Sequence, residues 1–318
     1  MSDTTLDKAS ATNAGAHLRL LLTMFLWGQM IPGFVVLLEV WDPFALSAAR
    51  YVIAAPLMLA FLAWWAGRIT PPLRSEWGKL ALLGLFGMGG LITFYTVGLA
   101  HANPITAIVV QTASPLTHTA IAVLFYKERV PQGLGTSLAL VVPGGLLLAA
   151  PAFAGGEMAF RGGEVLLLAG SICWAWYSLQ CPRWLPDYGE VRLTTWTMIA
   201  ATPCLVVLFL ALWSVGLTAP PAAWPPLELN LLMLWLILSS TCLGIILWHG
   251  AVGRLGLATS ALYFNVAPLF ALVITSLLGF VPTLTQLAGG ALVLLGVGQL
   301  QARRWWAARQ RLTPTASS

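Results

Sequence analysis

The feature that most constrains this chain is a succession of long apolar runs, each close to the length of a membrane span. A bilayer core of roughly 30 Å takes about 20 apolar residues as an α-helix. Short joints rich in Pro and Gly separate the runs, so the sequence predicts an all-α membrane protein with ten transmembrane helices and no inserted soluble domain. The ten runs lie near 18–38, 44–66, 79–99, 104–126, 133–152, 163–182, 193–216, 229–251, 257–280 and 284–302.

The composition excludes a soluble domain. Hydrophobic residues make up 58% of the 318 residues, charged residues only 8%, and the mean hydropathy is +0.84. A water-facing surface needs about 25–35% charged residues, so most of this surface must face lipid. All four cysteines fall inside apolar runs without metal-ligand spacing, which indicates buried thiols; no metal and no cofactor are expected.

The basic residues predict the orientation. With the N-terminus in the cytoplasm, fourteen Lys and Arg residues fall in cytoplasmic segments, Arg161 falls outside and Arg50 falls within a span. The positive-inside rule then places both termini in the cytoplasm of a bacterial inner membrane, which agrees with an even number of spans. Because the net charge of +5 is spread by topology rather than gathered in one patch, nucleic-acid binding is not expected.

The two halves of the chain repeat one order of features. The segment 95–115 aligns with 248–268 without a gap, and each copy ends at a mid-span proline, Pro115 or Pro268. Each of these helices is followed by a Gln-x-x-Gly start, and each half opens with a tryptophan inside its first span. A repeated order of this kind predicts two copies of one structural unit.

The repeat divides the chain into five predicted parts. We expect a disordered tail at 1–17, five-helix repeats at 18–152 and 163–302, a linker at 153–162 and a basic cytoplasmic tail at 303–318. Because five is an odd number, the second repeat would enter the membrane from the opposite face. Inverted repeats place the substrate near the midplane between the halves, where alternating access exposes it to either side.

The sequence around these features resembles a known family. The resemblance lies in LWGQMIPGF, in ALSAARYVIAAPLML, in ANPITAIVVQTASPLTHTAIAVLFYKERV and in GLATSALYFNVAPLFALVITSLLG. These stretches are similar to the EamA-type modules of the ten-helix drug/metabolite transporter superfamily, and the resemblance covers about 18–303. The second copy lacks a glutamate at the position of Glu128. The resemblance implies a basket of helices around a central cavity, in a family that includes the YddG-type aromatic amino-acid exporters.

Polar and aromatic side chains inside the spans are the candidate substrate-binding residues. A charge at mid-membrane costs at least about 2.5–3.5 kcal/mol, so such groups face protein or water. Gln111, Ser114 and His118 fall on one helical face, either lining a cavity or tied to neighbouring helices, and His118 is the candidate for proton coupling. The full set is Trp27, Gln29, Tyr95, Gln111, Ser114, His118, Trp174, Tyr177, Trp248, Tyr263 and Asn265.

Three further residues, Arg50, Pro115 and Pro268, are predicted to have structural or gating roles. Arg50 lies about two turns into the second run, where it snorkels outward, pairs with Glu39 or Asp42, or binds an anionic group; we favour the structural pair. Asn265 either satisfies backbone groups freed near Pro268 or reaches the cavity.

The pattern favours a secondary transporter that exports small organic metabolites, amino acids or related aromatic and apolar solutes, by alternating access. An enzyme is not expected, because no carboxylate lies deep in a run. A passive uniporter or channel-like permease, and an efflux carrier for several drugs or cationic compounds, remain as alternatives. The expected partners are the solute and the bilayer, with the chain a monomer or homodimer.

The predicted orientation can be tested with a membrane-impermeant maleimide. In intact cells an Arg161→Cys variant should be labelled, whereas an Arg68→Cys variant should be labelled only after permeabilisation, because the two positions are predicted on opposite faces. The reverse labelling pattern would contradict the orientation.

Overall fold

The part of the chain that the structure describes is built of helices and the turns between them. The structure is a computed structural model that describes residues 3–102, 104–130, 132–153 and 161–310. Residues 154–160 of the predicted linker and 311–318 of the predicted basic tail lie outside the described residues. Residues 303–310, also assigned to that tail, continue the last helix.

The first half begins with a helix longer than its apolar run. This helix starts at Asp3, inside the segment predicted to be a tail, and Ala16 is already fully buried. The next helix starts where the Asp42 carboxylate accepts a hydrogen bond from the Phe44 N–H at 2.8 Å, as an N-cap does. The elements are α1 Asp3–Leu37, α2 Pro43–Ala66, α3 Trp77–Leu82, a π-helical segment Leu83–Gly89, α4 Gly90–His101, α5 Pro104–Thr112, α6 Ser114–Leu124, α7 Leu134–Leu148 and α8 Ala150–Phe153.

The second half repeats the irregular features of the first. A seven-residue π-helical segment again precedes a helix of twelve residues, and the counterpart of α6 again has eleven residues with proline at the second position. The elements are α9 Gly163–Trp184, α10 Glu190–Ser214, α11 Leu227–Leu236, a π-helical segment Ile237–Leu243, α12 Gly244–Leu255, α13 Leu257–Ser260, a 3₁₀ segment Ala261–Val266, α14 Ala267–Leu277 and α15 Leu284–Gln310. The sequence repeat is therefore a structural repeat.

Helix length separates the spans into two groups. Among the described residues, seven helical stretches are long and apolar enough to cross a bilayer, and α5 with α6, bent by 44°, makes eight. The two remaining predicted spans, at 133–152 and 284–302, correspond to shorter apolar helices, Leu134–Leu148 and Leu284–Gln299. At 1.5 Å per residue, the fifteen residues of α7 extend only about 22 Å, which is why length alone does not identify it as a span.

Helices from the two halves pack against each other. The most extensive contacts pair α7 with α15, α4 with α9, α2 with α10 and α1 with α12. Small residues allow the closest approach: a Cβ atom added at Gly289 would lie 2.6 Å from the Gly144 carbonyl oxygen and 2.6 Å from the Leu148 nitrogen. These are backbone atoms with little freedom to move, so glycine at 289 sets the distance between α7 and α15.

The broken helix of the first half meets the 3₁₀ segment of the second half, which lies inside the continuous helical stretch Leu257–Leu277. The Leu116 N–H bonds to the Ala113 carbonyl at 2.9 Å, one residue short of the α-helical acceptor, and this leaves the Thr112 carbonyl without its helical partner. The Asn265 amide, which is 3% exposed, donates to that carbonyl at 2.9 Å. Of the two roles weighed for Asn265, the structure shows the first, although the backbone it satisfies belongs to the other repeat.

Substitution at Gly289 tests the close packing of α7 and α15. We expect Gly289→Ala to lower the free energy of unfolding by about 1–3 kcal/mol, because the added methyl group overlaps backbone atoms. Gly298→Ala on the same helix is the control, since a Cβ atom added at Gly298 would have no neighbouring atom within 4 Å, and it should be neutral or stabilising. Thermal unfolding in detergent measures both, and an equal effect of the two variants would contradict the packing argument.

Substitution at Asn265 tests the junction of the broken helix with the 3₁₀ segment. We expect Asn265→Leu to destabilise the protein by about 1–3 kcal/mol, because it leaves a buried carbonyl without a donor. Asn230→Leu makes the same chemical change where the amide bonds only to the nearby Pro225 and Pro226 carbonyls, so its effect should be smaller. A larger loss for Asn230→Leu in the same unfolding assay would refute the role assigned to Asn265.

Candidate substrate site

An aromatic cluster lies where α1, α9, α12 and the 3₁₀ segment meet. Trp27 stacks on Phe264 with ring centroids 5.9 Å apart, and it lies 5.9 Å from Trp174 and 5.5 Å from Trp248. Trp174 in turn stacks on Tyr177 at 5.3 Å. Four of the predicted site residues therefore belong to this one aromatic cluster. The first half contributes Trp27, and the second half contributes the other three.

Phe264 is the member of this cluster that sequence reasoning missed. Its ring centroid lies 4.9 Å from that of Trp248 and 5.0 Å from that of His118. Because the segment 261–266 is a 3₁₀ helix, three residues make a turn, and neighbouring side chains point in directions that α-helical spacing does not give. The only signal in the sequence was an aromatic residue between Tyr263 and Asn265.

Tyr263 lies apart from the aromatic cluster. Its side chain is 1% exposed, and its hydroxyl is 2.8 Å from His17 Nδ1. Tyr95 and Gln111 are also separate: Tyr95 packs with a small second cluster that contains Ala107, and Gln111 is exposed. The structure thus brings together only part of the predicted set.

The break at Ala113 divides the predicted stripe of the fourth run. Gln111 on α5 is exposed, whereas Ser114 and His118 lie on α6 and His118 is 2% exposed. The prediction that these side chains share one face assumed a continuous helix. The helix is instead bent by 44° between α5 and α6. Pro115 is buried and Pro268 is exposed, each at the second position of its helix, α6 or α14.

Two buried histidines flank the cluster. His118 Nδ1 donates to the Ser114 carbonyl at 2.7 Å and lies 3.5 Å from Ser171 Oγ. The second, His249, has its ring centroid 5.4 Å from that of Tyr177 and its Nδ1 3.0 Å from Thr194 Oγ1. Both Nε2 atoms are buried without a hydrogen-bond partner among the described residues, so each ring presents one unused nitrogen.

The π-helical segment Ile237–Leu243 supplies polar contacts beside the cluster. The indole N–H of Trp27 donates to the Ser240 carbonyl at 3.1 Å, and the Gln29 amide donates to Ser239 Oγ at 2.9 Å. Arg50 Nη2 donates to Thr241 Oγ1 at 2.7 Å. Three consecutive residues of this segment therefore accept hydrogen bonds from three residues of the predicted site. The sequence signal that could have identified the segment was the run Ser-Ser-Thr within an apolar span.

The expected pairing of Arg50 with Glu39 or Asp42 is wrong. Asp42 is occupied as the cap of α2 and accepts a hydrogen bond from the Thr218 hydroxyl. Among the described residues, no carboxylate forms an ion pair with Arg50. A single sequence does not show that a capping role already uses the nearby carboxylate.

A cavity of about 290 Å³ lies next to His249. Its lining includes Ser178, Tyr188, Glu190 and Arg254, and the Arg19–Glu190 ion pair, with a distance of 2.8 Å, lies at its edge. Burial and a hydrogen bond to Glu76 raise the pKa of Tyr188 to about 12, so this side chain stays a neutral hydroxyl at physiological pH. The cavity therefore offers both charged and neutral polar groups.

The Glu76 carboxylate beside Tyr188 stays ionised. Burial raises its pKa, but hydrogen bonds from the Leu73 N–H and the Tyr188 hydroxyl, with the charges of Arg192 and Lys79, outweigh burial and lower the pKa below its usual range. The loop before α3 is thus tied to the loop before α10.

Comparison with solved structures supports the fold. A protein of known crystal structure superposes with a TM-score of 0.74 over 92% of this chain and 99% of its own, at 21% identity. At that level of identity the likeness concerns the fold alone.

Comparison with curated proteins finds relatives along most of the chain. Uncharacterized transporter YyaM of Bacillus subtilis is 25% identical over 81% of this chain and 84% of its own length. A probable terminal-alkyne amino-acid exporter of Streptantibioticus cattleyicolor is 27% identical over 93% of this chain and 96% of its own. Inner membrane protein YtfF of Escherichia coli is 27% identical over 87% of this chain and 92% of its own.

The family match coincides with the repeat. The chain matches the EamA-like transporter family twice, over residues 15–150 and 161–300. These two matches cover both sets of corresponding elements, which confirms the resemblance inferred from the sequence. The chain is a multi-pass membrane protein that belongs to the EamA-like transporter family.

Proposed function

We propose that this protein is a secondary transporter that exports small organic metabolites, amino acids or related aromatic and apolar solutes, by alternating access. The observation that carries the proposal is the meeting of a broken helix in one repeat with a 3₁₀ segment in the other, beside the aromatic cluster. Phe264 packs into that cluster, and the next residue, Asn265, bonds to the break of the other repeat. Discontinuous helices at a repeat interface are the usual setting of a transporter's substrate site.

The proposed membrane arrangement has ten spans and two inverted repeats, with both termini in the cytoplasm of a bacterial inner membrane. The short helix α7 and the short apolar stretch Leu284–Gln299 of α15 pack together and hold the fifth position of each repeat, which supports counting both as spans. A short apolar helix is accommodated by local thinning of the bilayer at modest cost. Five spans per repeat then make the second repeat inverted.

The solute class rests on the character of the aromatic cluster and on one relative. Tryptophan, tyrosine and phenylalanine faces suit an apolar or aromatic solute, and a cation could also bind them. The polar groups beside the cluster are hydroxyls, an amide, imidazoles and a guanidinium, which favour a neutral, zwitterionic or anionic solute over a cation. The relative named as an amino-acid exporter supports both the solute class and the outward direction.

Coupling to an ion gradient is proposed to be weak or absent. The imidazoles of His118 and His249 contact the cluster, through Phe264 and Tyr177, and His118 is the candidate for proton coupling. A facilitator, an exchanger or a weakly proton-linked exporter is consistent with this arrangement.

Counterflow in proteoliposomes tests the function. We expect an unlabelled amino acid inside the vesicles to accelerate uptake of labelled L-phenylalanine or L-leucine, because a carrier returns faster when loaded. Trp27→Ala should lower this flux at least ten-fold, whereas Trp64→Ala, at a residue 74% exposed, should leave it within two-fold. Flux without trans-stimulation would indicate a pore, and equal flux in both variants would place the site elsewhere.

A further inference from the structure

Arg50 carries a positive charge deep inside the protein. It lies about two turns into α2, at the level where α1 and the π-helical segment Ile237–Leu243 pass it. The residue is half-buried, and its Nε atom is buried without a hydrogen-bond partner among the described residues. A guanidinium at this depth is costly unless something compensates its charge.

The groups that contact Arg50 are all neutral. Nη2 donates to Thr241 Oγ1 at 2.7 Å and lies 4.0 Å from the Met30 sulfur, and the guanidinium carbon lies 4.5 Å from the Phe34 ring centre. These contacts orient the guanidinium plane, and the ring contributes about 0.5–2 kcal/mol of attraction. They do not neutralise the charge.

The arrangement around Arg50 suits an anionic ligand. Thr241 holds Nη2 and Nε is buried, whereas Nη1 has no hydrogen-bond partner among the described residues, so Nη1 is the donor left for a planar carboxylate. Asp42, the carboxylate that begins the same helix, is engaged as a cap and with Thr218. Among the described residues, no carboxylate neutralises the charge of Arg50, so the anionic partner must come from outside the described chain.

The Arg50 guanidinium and the Trp27 ring are hydrogen-bonded to neighbouring residues of the segment Ile237–Leu243. The Ser240 carbonyl accepts a hydrogen bond from the Trp27 indole N–H, and Thr241 Oγ1 accepts one from Arg50 Nη2. A single solute can therefore place an apolar or aromatic portion against Trp27 and an anionic group at Arg50. The wider spacing of a π-helix frees backbone carbonyls such as that of Ser240, and such segments occur frequently at functional sites.

The geometry points to Arg50 as the recognition site for the carboxylate of the transported solute, with Thr241 as its positioning residue. This inference rests on the proposed transport function for the identity of the solute, and it narrows the solute class to carboxylates that carry an apolar or aromatic side chain. A single guanidinium with one nitrogen left to donate matches a monovalent carboxylate better than a phosphate, which proteins hold with several donors.

Equilibrium binding to purified protein in detergent tests the carboxylate site. The probes are L-phenylalanine and L-leucine, each compared with its carboxamide, which lacks the anionic oxygen atoms. We expect the wild-type protein to bind each acid at least ten-fold more tightly than its amide, and Arg50→Gln to reduce that ratio to about one. Arg50→Lys should retain part of the preference because it keeps the charge.

The matched control is Arg68→Gln, which removes the same charge from an exposed position just beyond the end of α2 and should keep the full acid preference. If Arg50→Gln does not yield monodisperse protein, Thr241→Val replaces it, and the preference should fall several-fold while amide binding stays unchanged. An unchanged ratio in Arg50→Gln and Thr241→Val, or a wild-type protein that does not prefer the acids, would overturn the assignment.

Flux measurements separate this inference from the proposed function. Acid preference that depends on Arg50, without trans-stimulated flux, would support the carboxylate site and defeat the transport proposal. Trans-stimulated flux of acid and amide at equal rates would support transport and overturn the role of Arg50.

Discussion

The junction between the broken helix of the first repeat and the 3₁₀ segment of the second is the constraint on which the rest of the fold depends. A break in the middle of an apolar helix exposes backbone groups where no water is available, and each unsatisfied group is costly. Here the Asn265 amide from one repeat satisfies the Thr112 carbonyl of the other. Because a residue of the second repeat satisfies the break of the first, the halves dock in a register that brings Asn265 to Thr112, and the aromatic cluster lies beside this contact.

The two π-helical segments have a related effect on the structure. Each changes the direction in which the following helix points its side chains, and each precedes a twelve-residue helix that packs against the other half. In the second half the segment Ile237–Leu243 also accepts hydrogen bonds from the side chains of Trp27, Gln29 and Arg50. The corresponding first-half segment is rich in glycine instead, so Gly87 packs against Tyr177, and the side-chain hydrogen bond described there is the weak one from the Tyr51 hydroxyl to the Met88 sulfur at 4.0 Å. The asymmetry of the repeats is therefore concentrated at this position.

Much of the fold could be predicted from the sequence, since apolar length and proline position are local properties. Pro115 and Pro268 do lie inside their predicted apolar runs, but the helix starts that they mark, at Ser114 and Ala267, were not predicted. The site was predicted less completely. Trp27, Trp174, Tyr177 and Trp248 converge, but Tyr263 points to His17 and Gln111 lies beyond a bend, because both assignments assumed unbroken α-helical spacing. Phe264 was missed for the same reason.

The sequence by itself determined that this chain lies in a membrane and that it contains one helical unit twice, because apolar composition and repeated order require no knowledge of contacts. Only the tertiary structure decided which polar groups are engaged in holding the fold and which keep a donor without a partner among the described residues. Asp42 caps a helix and Asn265 satisfies a broken one, whereas Arg50 keeps an unpaired donor. That distinction depends on distances between residues far apart in the chain, such as the 2.7 Å from Arg50 to Thr241, which no local pattern encodes.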